Sequence, residues 1–494
     1  MSNNPHLGAS PGSDLLDTPD AGPVAVRGGT VRVAGYAVGV LLTVGSAALL
    51  FRHLGVVDTG RYLTVLALTS IVAGITDVGL TTIGLRELAV RDESEKRLLI
   101  RDLLGLRLVL SVVGVAVAGA FALAVGYDAQ MVTGTLLAGV GVVAVALQAT
   151  LSVALMVELR LGWVAILDLI RQALLVAGIL ALVAAGAGIL PFLALQGPTA
   201  VAALALTAWL VHLSVPLTPA FHPDRWRALL REVLPFAAAT IVAAVYFRAA
   251  LIVLGLVSTD VQTGYFGAAF RISEVLLMVP NIVVGAAFPI FARAARDDHD
   301  RLGYGVDRVF QASLVLGGMV LVALTLGAPF AIEVVAGSQF EPSEDVLRIQ
   351  AVALMASFVT TTLFYALLSL RMHRSILAVV VVLLAANVTL AWILGAAHGA
   401  TGAAYATLAS EVVGLVAAWV ILRRSHPGVA PRLSMVPRVA LAVAAGGLVA
   451  LVPGLPSVVA AVIGTAVYSV AVLVLRAVPE ELLQALGRRA EAPA

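Results

Sequence analysis

The sequence predicts an all-α polytopic membrane protein with about fourteen transmembrane helices, and three observations predict it. Of its 494 residues, 61% are hydrophobic and only 12% are charged. A soluble globular chain carries about a quarter charged residues and under half apolar ones. Apolar runs recur from residue 30 to residue 476. Each is roughly twenty residues long, enough to cross about 30 Å of hydrocarbon at 1.5 Å per residue. Basic residues concentrate in alternate loops between these runs. Backbone groups in lipid must bond to one another, which leaves helices or a closed barrel. The runs are continuous Ala/Val/Leu/Gly stretches without the ten-residue alternation of barrel strands, so helices are expected.

Taken in order, residues 1–26 are rich in Ser, Pro, Gly and Asn and carry Asp14, Asp17 and Asp20. A secretory signal would begin basic and turn apolar, so this segment reads as a disordered cytoplasmic tail. Six spans follow in a first lobe, 27–213: 31–52, 62–85, 103–125, 131–157, 163–186 and 189–213. A cytoplasmic linker, 214–233, leads to six more spans in a second lobe, 234–424. These are 234–257, 264–291, 309–335, 346–370, 375–396 and 400–422. Two accessory helices at 437–453 and 456–476 occupy 425–476, and 477–494 forms a cytoplasmic tail.

Loop charge tests the count. One set of alternate loops carries Arg86, Arg91, Lys96, Arg97 and Arg101, then Arg160, then Arg225, Arg227 and Arg231, and continues through Arg293, Arg371, Arg423 and Arg488. In the other set, 126–130, 187–188, 258–263, 336–345, 397–399 and 454–455 have no basic residue. The exception is the first of that set, near Arg52 and Arg61. The positive-inside bias places the basic set and both termini in the cytoplasm. The chain also repeats: LGVVDTGRY at 54–62 is echoed by LGLVSTDVQTGY at 254–265. Six helices separate the copies, so two lobes related by a pseudo-twofold axis along the membrane normal are expected, a known transporter layout with a site at the lobe interface.

At the seventh and eighth spans, segment 246–293 brings together Tyr246, Gly264, Tyr265, Arg271, Pro280 and Pro289. This pattern resembles the polysaccharide and O-antigen flippases, the lipid-linked oligosaccharide flippase family of the multidrug/oligosaccharidyl-lipid/polysaccharide exporter superfamily. FRHLGVVDTGRY followed by DVGLTTIGLRELAVR resembles that family's first hairpin, and HGATGAAYATLASE at 398–411 the start of its twelfth helix. The likeness covers essentially the whole chain. Many O-antigen flippases have twelve helices, whereas the lipid II flippases of the superfamily have fourteen, the added pair forming a groove for the lipid tail. The resemblance implies transfer of an undecaprenyl-diphosphate-linked glycan from the cytoplasmic to the outer leaflet of the bacterial cytoplasmic (inner) membrane, by alternating access. It also implies membrane lipids, the polyprenyl-diphosphate-linked glycan, and a glycan polymerase or glycosyltransferases as partners; the charged stretch 86–102 fits a solvated or interface-lying loop helix, so no nucleic-acid partner is expected.

Hiding a diphosphate and sugars from hydrocarbon calls for a wet cavity with fixed cations. An intramembrane charge costs at least about 2.5–3.5 kcal/mol, so each one is a candidate. Arg248 and Arg271 fall at similar depth in adjacent antiparallel spans, where guanidinium forks suit bidentate phosphate capture. The alternative is a structural pair, since Glu274 lies three residues from Arg271. Arg171 is a further binding candidate, although Asp168 at i−3 can neutralise it; Asp168 is itself a coupling candidate. Asp77 and Glu411 have no local cation and are candidates for a coupling proton or for an interhelical hydrogen bond. Tyr246 and Tyr265 are candidates for stacking on sugar rings, against interfacial anchoring or packing.

No cysteine is present, no P-loop appears, and the eight histidines do not pair at metal-ligand spacing. No cofactor, no metal and no enzymatic activity are therefore expected. Two other classes stay open: an ion-coupled multidrug exporter of the same superfamily, whose cavity should favour carboxylates, and a membrane-embedded glycan polymerase or ligase, which usually hangs a sizeable loop outside.

Overall fold

A computed structural model of the chain describes residues 21–477 apart from 78, 159 and 214. Of the expected tails, 1–26 and 477–494, residues 1–20 and 478–494 lie outside these residues. The first half comprises α1 (Ala21–Asp77), α2 (Leu80–Val90), α3 (Glu93–Ala124), α4 (Ala129–Val157), α5 (Leu161–Ala184), α6 (Ile189–Ala194) and α7 (Gln196–Val211). The second half comprises α8 (Pro223–Val257), α9 (Asp260–Leu276), α10 (Met278–Asp297), α11 (His299–Val335), α12 (Ser343–Ser369) and α13 (His373–Ser425). The chain ends on α14 (Val436–Gly447) and α15 (Ser457–Val474). Helix α1 begins inside the segment 1–26 that the sequence assigns to a disordered tail.

Twelve helical segments among the described residues are long and apolar enough to cross a membrane. Two helices, α1 and α13, contain a non-helical glycine, Gly55 and Gly399 respectively. At Gly399 the backbone enters the left-handed region (φ 58°), which a side chain would strain. The arms on either side of it run back along each other: a Cβ at Gly402 would strike the Leu394 carbonyl, and one at Gly414 would meet the Leu383 side chain. The fourteen spans expected from hydropathy are compatible with this pattern of twelve segments, two of them divided.

Prolines account for two further breaks. Pro198 and Pro280 cannot donate to the carbonyls four residues back, at Ala194 and Leu276, and α6 and α9 end at those residues. The single span expected at 264–291 is therefore two helices, α9 and α10. The accessory pair packs on α11, where the Tyr468 hydroxyl donates to the Val315 carbonyl at 2.7 Å. An apolar setting leaves such a hydroxyl no water to bond, so this contact fixes the register of α15.

The two copies of the repeat meet. A Cβ at Gly60 would collide with the Asp260 carbonyl, and one at Gly264 with the Val56 carbonyl. Each glycine thus admits the other segment's backbone, a reciprocal arrangement of the kind a twofold relation produces. Arg61 closes the same seam. Its guanidinium bonds Asp260 at the start of α9 at 2.8 Å and pairs with Asp128, which caps α4, at 3.3 Å, and with Asp58 at 3.7 Å. Nearby, Arg52 donates to the Glu333 carbonyl at 2.7 Å, at the end of α11. We call this the Gly55 end of the bundle.

Asp77 is the last residue of α1, before the break at Gly79, and it is paired. Arg107 of α3, only 2% exposed, donates to the Asp77 carboxylate, to Thr81 Oγ1 at 2.6 Å and to the Ala146 carbonyl at 3.1 Å. Asp77 has no local cation in the sequence; its partner lies thirty residues away on another helix. Losing the carboxylate would strand a buried guanidinium, a change that costs about 3–5 kcal/mol. Asp77→Asn should accordingly lower the melting temperature of the purified protein sharply. A normal melting curve would mean that this pair does not hold α1 to α3.

Candidate functional site

A cavity of about 250 Å³ opens between the halves, walled by α1, α4, α5 and α7 on one side and by α8 and α9 on the other. It draws together the three arginines singled out from the sequence: Arg171 from α5, Arg248 from α8 and Arg271 from α9. Arg248 lies nine residues before the end of α8 at Val257, and Arg271 eleven residues after the start of α9 at Asp260. At helical rise they sit about 14 Å and about 16 Å from the Gly55 end. Arg271 is deeper than hydropathy alone places it, because α9 begins four residues earlier than the expected span.

Glu274 is the hub of the arginine pair. Arg248 Nη2 donates to its Oε1 at 2.6 Å, and Arg271 Nη1 donates to its Oε2 at 2.8 Å. The i, i+3 spacing accounts for the second bond, and the antiparallel packing of α8 on α9 supplies the first. The Arg248 guanidinium also lies over the rings of Phe247 (5.1 Å) and Phe270 (5.8 Å). Aromatic faces stabilise a cation electrostatically while excluding water on that side. Three guanidiniums against one carboxylate leave the lining with two positive charges. Gln196, at the α6–α7 break, and Thr69 and Ser70 of α1 add polar surface. Cations fixed in a low-dielectric cleft attract an anion far more strongly than they would in water.

The remaining sequence candidates fall elsewhere. Asp168 is exposed on α5, outside the cavity lining, within electrostatic reach of Arg171. Tyr265 packs edge-on against Phe340 (6.4 Å) and does not line the cavity. Tyr246 points into the second half, where its hydroxyl donates to Glu411 Oε1 at 2.5 Å. Neither tyrosine lines the arginine cavity: Tyr246 bonds a carboxylate and Tyr265 packs on an aromatic ring. Two polar residues of the interior, Gln196 and Arg107, are absent from the sequence candidates. The signal for each was a polar side chain within an apolar span.

Tyr246 and Glu411 belong to a smaller cavity of about 50 Å³ among α8, α9, α12 and α13. Ser273 donates to Gln350 Oε1 at 2.9 Å there. Gln350 Nε2 and Asn387 Oδ1 are buried with no hydrogen-bond partner among the described residues. Each orphaned group costs about 1–3 kcal/mol, so this interior is polar at an energetic expense. Among the described residues no cluster of three or more His, Asp or Glu side chains could hold a metal ion.

Comparison with known sequences decides the family. The sequence model of the family described as "Polysaccharide biosynthesis protein" matches residues 25–295, more than half of the chain. The chain belongs to the polysaccharide biosynthesis protein family. The match spans the first half and reaches through α9 and most of α10, so it includes all three cavity arginines. The comparison with curated proteins finds no match.

Solved structures agree on the fold of this family member. The lipid II flippase MurJ, in an inward closed conformation, superposes with a TM-score of 0.75 at 12% identity, covering 90% of this chain and 99% of that one. An inward-facing multidrug resistance MATE family transporter of the MOP superfamily gives 0.62 at 13% identity, over 78% and 96%. A MOP superfamily transporter from Pyrococcus furiosus, described as having a binding pocket of reverse polarity, gives 0.52 at 13% identity, over 79% and 94%. At these identities the likeness concerns architecture: a multi-pass, all-helical membrane protein with the fold of flippases and MATE transporters.

Proposed function

We propose that this chain moves a polyprenyl-diphosphate-linked oligosaccharide, of the undecaprenyl class, from the cytoplasmic to the outer leaflet of a bacterial inner membrane. The observation that carries the reading is the convergence of Arg171, Arg248 and Arg271 on one cavity between the halves. A doubly charged diphosphate diester matches its surplus of two positive charges, and guanidinium forks bond phosphate oxygens in pairs. Membership in a polysaccharide biosynthesis family and a flippase-like fold support a cargo of this chemistry. The lobes 27–213 and 234–424 would rock about the seam at the Gly55 end, with the basic loops and both termini in the cytoplasm.

A second reading, an ion-coupled multidrug exporter, is favoured by one observation, the half-buried carboxylate of Glu411 bonded to Tyr246. In our reading the same pair carries a coupling proton for glycan export, while Asp77 is held in its pair with Arg107. Depletion of the protein separates the two functions. Glycan export predicts accumulation of lipid-linked oligosaccharide in the inner leaflet with unchanged drug tolerance. Drug hypersensitivity without precursor accumulation would favour the exporter. Glu411→Gln should slow export by on the order of tenfold and flatten its dependence on the proton gradient; export that keeps its full gradient dependence removes Glu411 from the coupling step.

A further inference from the structure

The role of Glu274 follows from where it stands. It projects from α9 one turn beyond Arg271, its side chain is only one-fifth exposed, and each of its oxygens accepts a bond from a different cavity arginine. A carboxylate used only to hold helices together would be expected away from the cargo's path, but Glu274 lines the cavity itself. Two bonds of 2.6 and 2.8 Å to guanidiniums on two helices reproduce the contacts that one phosphate group would make.

We propose that Glu274 is an internal counter-anion that occupies Arg248 and Arg271 while the cavity is empty and competes with the cargo's diphosphate for them. This inference rests on the assignment of the cavity to a diphosphate. A carrier must let its cargo go, and three uncompensated guanidiniums in a low-dielectric cleft would hold an anion too long. Glu274 lowers the affinity by offering the arginines an alternative partner at every moment. On entry of the diphosphate, Arg248 and Arg271 exchange the carboxylate for phosphate oxygens. On release, the carboxylate takes them back, so the guanidiniums are not left bare in the protein interior. The competition also favours the more highly charged anion, since a lower charge gains less by displacing a carboxylate already in place.

The test uses the full-length protein in detergent with farnesyl diphosphate and farnesyl monophosphate as probes. Glu274→Gln keeps the side chain's size and removes its charge. It should bind farnesyl diphosphate about tenfold more tightly than the native protein, through a slower off-rate, and narrow the preference for diphosphate over monophosphate. In reconstituted vesicles the same variant should move lipid-linked sugar more slowly. Tighter binding cannot come from a damaged fold, which separates this role from a structural one. Equal or weaker binding of farnesyl diphosphate by Glu274→Gln, with Arg271→Ala still losing it, overturns the counter-anion role and leaves the site standing. Binding that is absent in the native protein, or unaffected by Arg271→Ala, overturns the diphosphate assignment and this inference with it.

Discussion

Arg271→Ala is expected to cut export of lipid-linked glycan by about 10- to 100-fold, with the protein inserted at its normal level. A hydrogen bond to a charged partner is worth about 1.5–3 kcal/mol, and each factor of ten is about 1.4 kcal/mol. Arg271 reaches the cavity from α9 and shares Glu274 with Arg248. Its loss would remove phosphate donors and leave the carboxylate to Arg248 alone. Arg248→Ala should fall in the same range, and it also strips the cation from over Phe247 and Phe270. The double variant should show less than the sum of the two effects, because the residues act on one anion. Lysine at 271 should recover only part of the activity, since an ammonium retains the charge and loses the planar fork. The measurement is the ratio of inner-leaflet precursor to exported glycan. Export at the native rate in both single variants would remove the arginines from the binding role.

The second large effect concerns the seam at the Gly55 end. Arg61 holds Asp260, Asp128 and Asp58 together across the two halves. Single exposed pairs contribute about 0.2–1 kcal/mol, but this guanidinium serves three carboxylates where Gly60 and Gly264 bring two backbones into contact. Asp260→Arg replaces attraction by repulsion and should open that end. The native chain contains no cysteine, so a single Ser70→Cys in the cavity lining reports access cleanly. Asp260→Arg should raise its labelling by an impermeant thiol reagent, added from the Gly55 side, by about tenfold or more, a population shift of about 1.4 kcal/mol. The reversed pair, Arg61→Asp with Asp260→Arg, should restore protection. Labelling that ignores both changes would mean that the seam does not gate the cavity.

Much of this protein is legible in its sequence because a bilayer imposes one length scale. A run of twenty apolar residues must become a helix of known span, and charge can gather only at loops or in a cavity. That logic singles out Arg171, Arg248 and Arg271 from the sequence alone. It does not find Arg107 as the partner of Asp77, because thirty residues and a helix–helix contact separate them and no local spacing records the pairing. The roles of Tyr246 and Tyr265 are hidden for the same reason. An aromatic residue in a span looks alike whether it faces a cavity, a carboxylate or Phe340. The break at Leu277 is written in Pro280, but hydropathy runs through it undisturbed. Glu274 is visible as a neighbour of Arg271; its second bond, to Arg248, depends on how α8 and α9 pack.

Diphosphate recognition is tested most directly by translocation in vesicles by the purified protein, comparing a short polyprenyl-diphosphate-linked sugar with its monophosphate-linked counterpart. Native protein should move the diphosphate lipid across the bilayer, move the monophosphate lipid more slowly, and lose the diphosphate activity when Arg248 and Arg271 are both alanine. Equal transfer of the two lipids by native protein, or undiminished transfer of the diphosphate lipid by the double variant, would contradict diphosphate recognition.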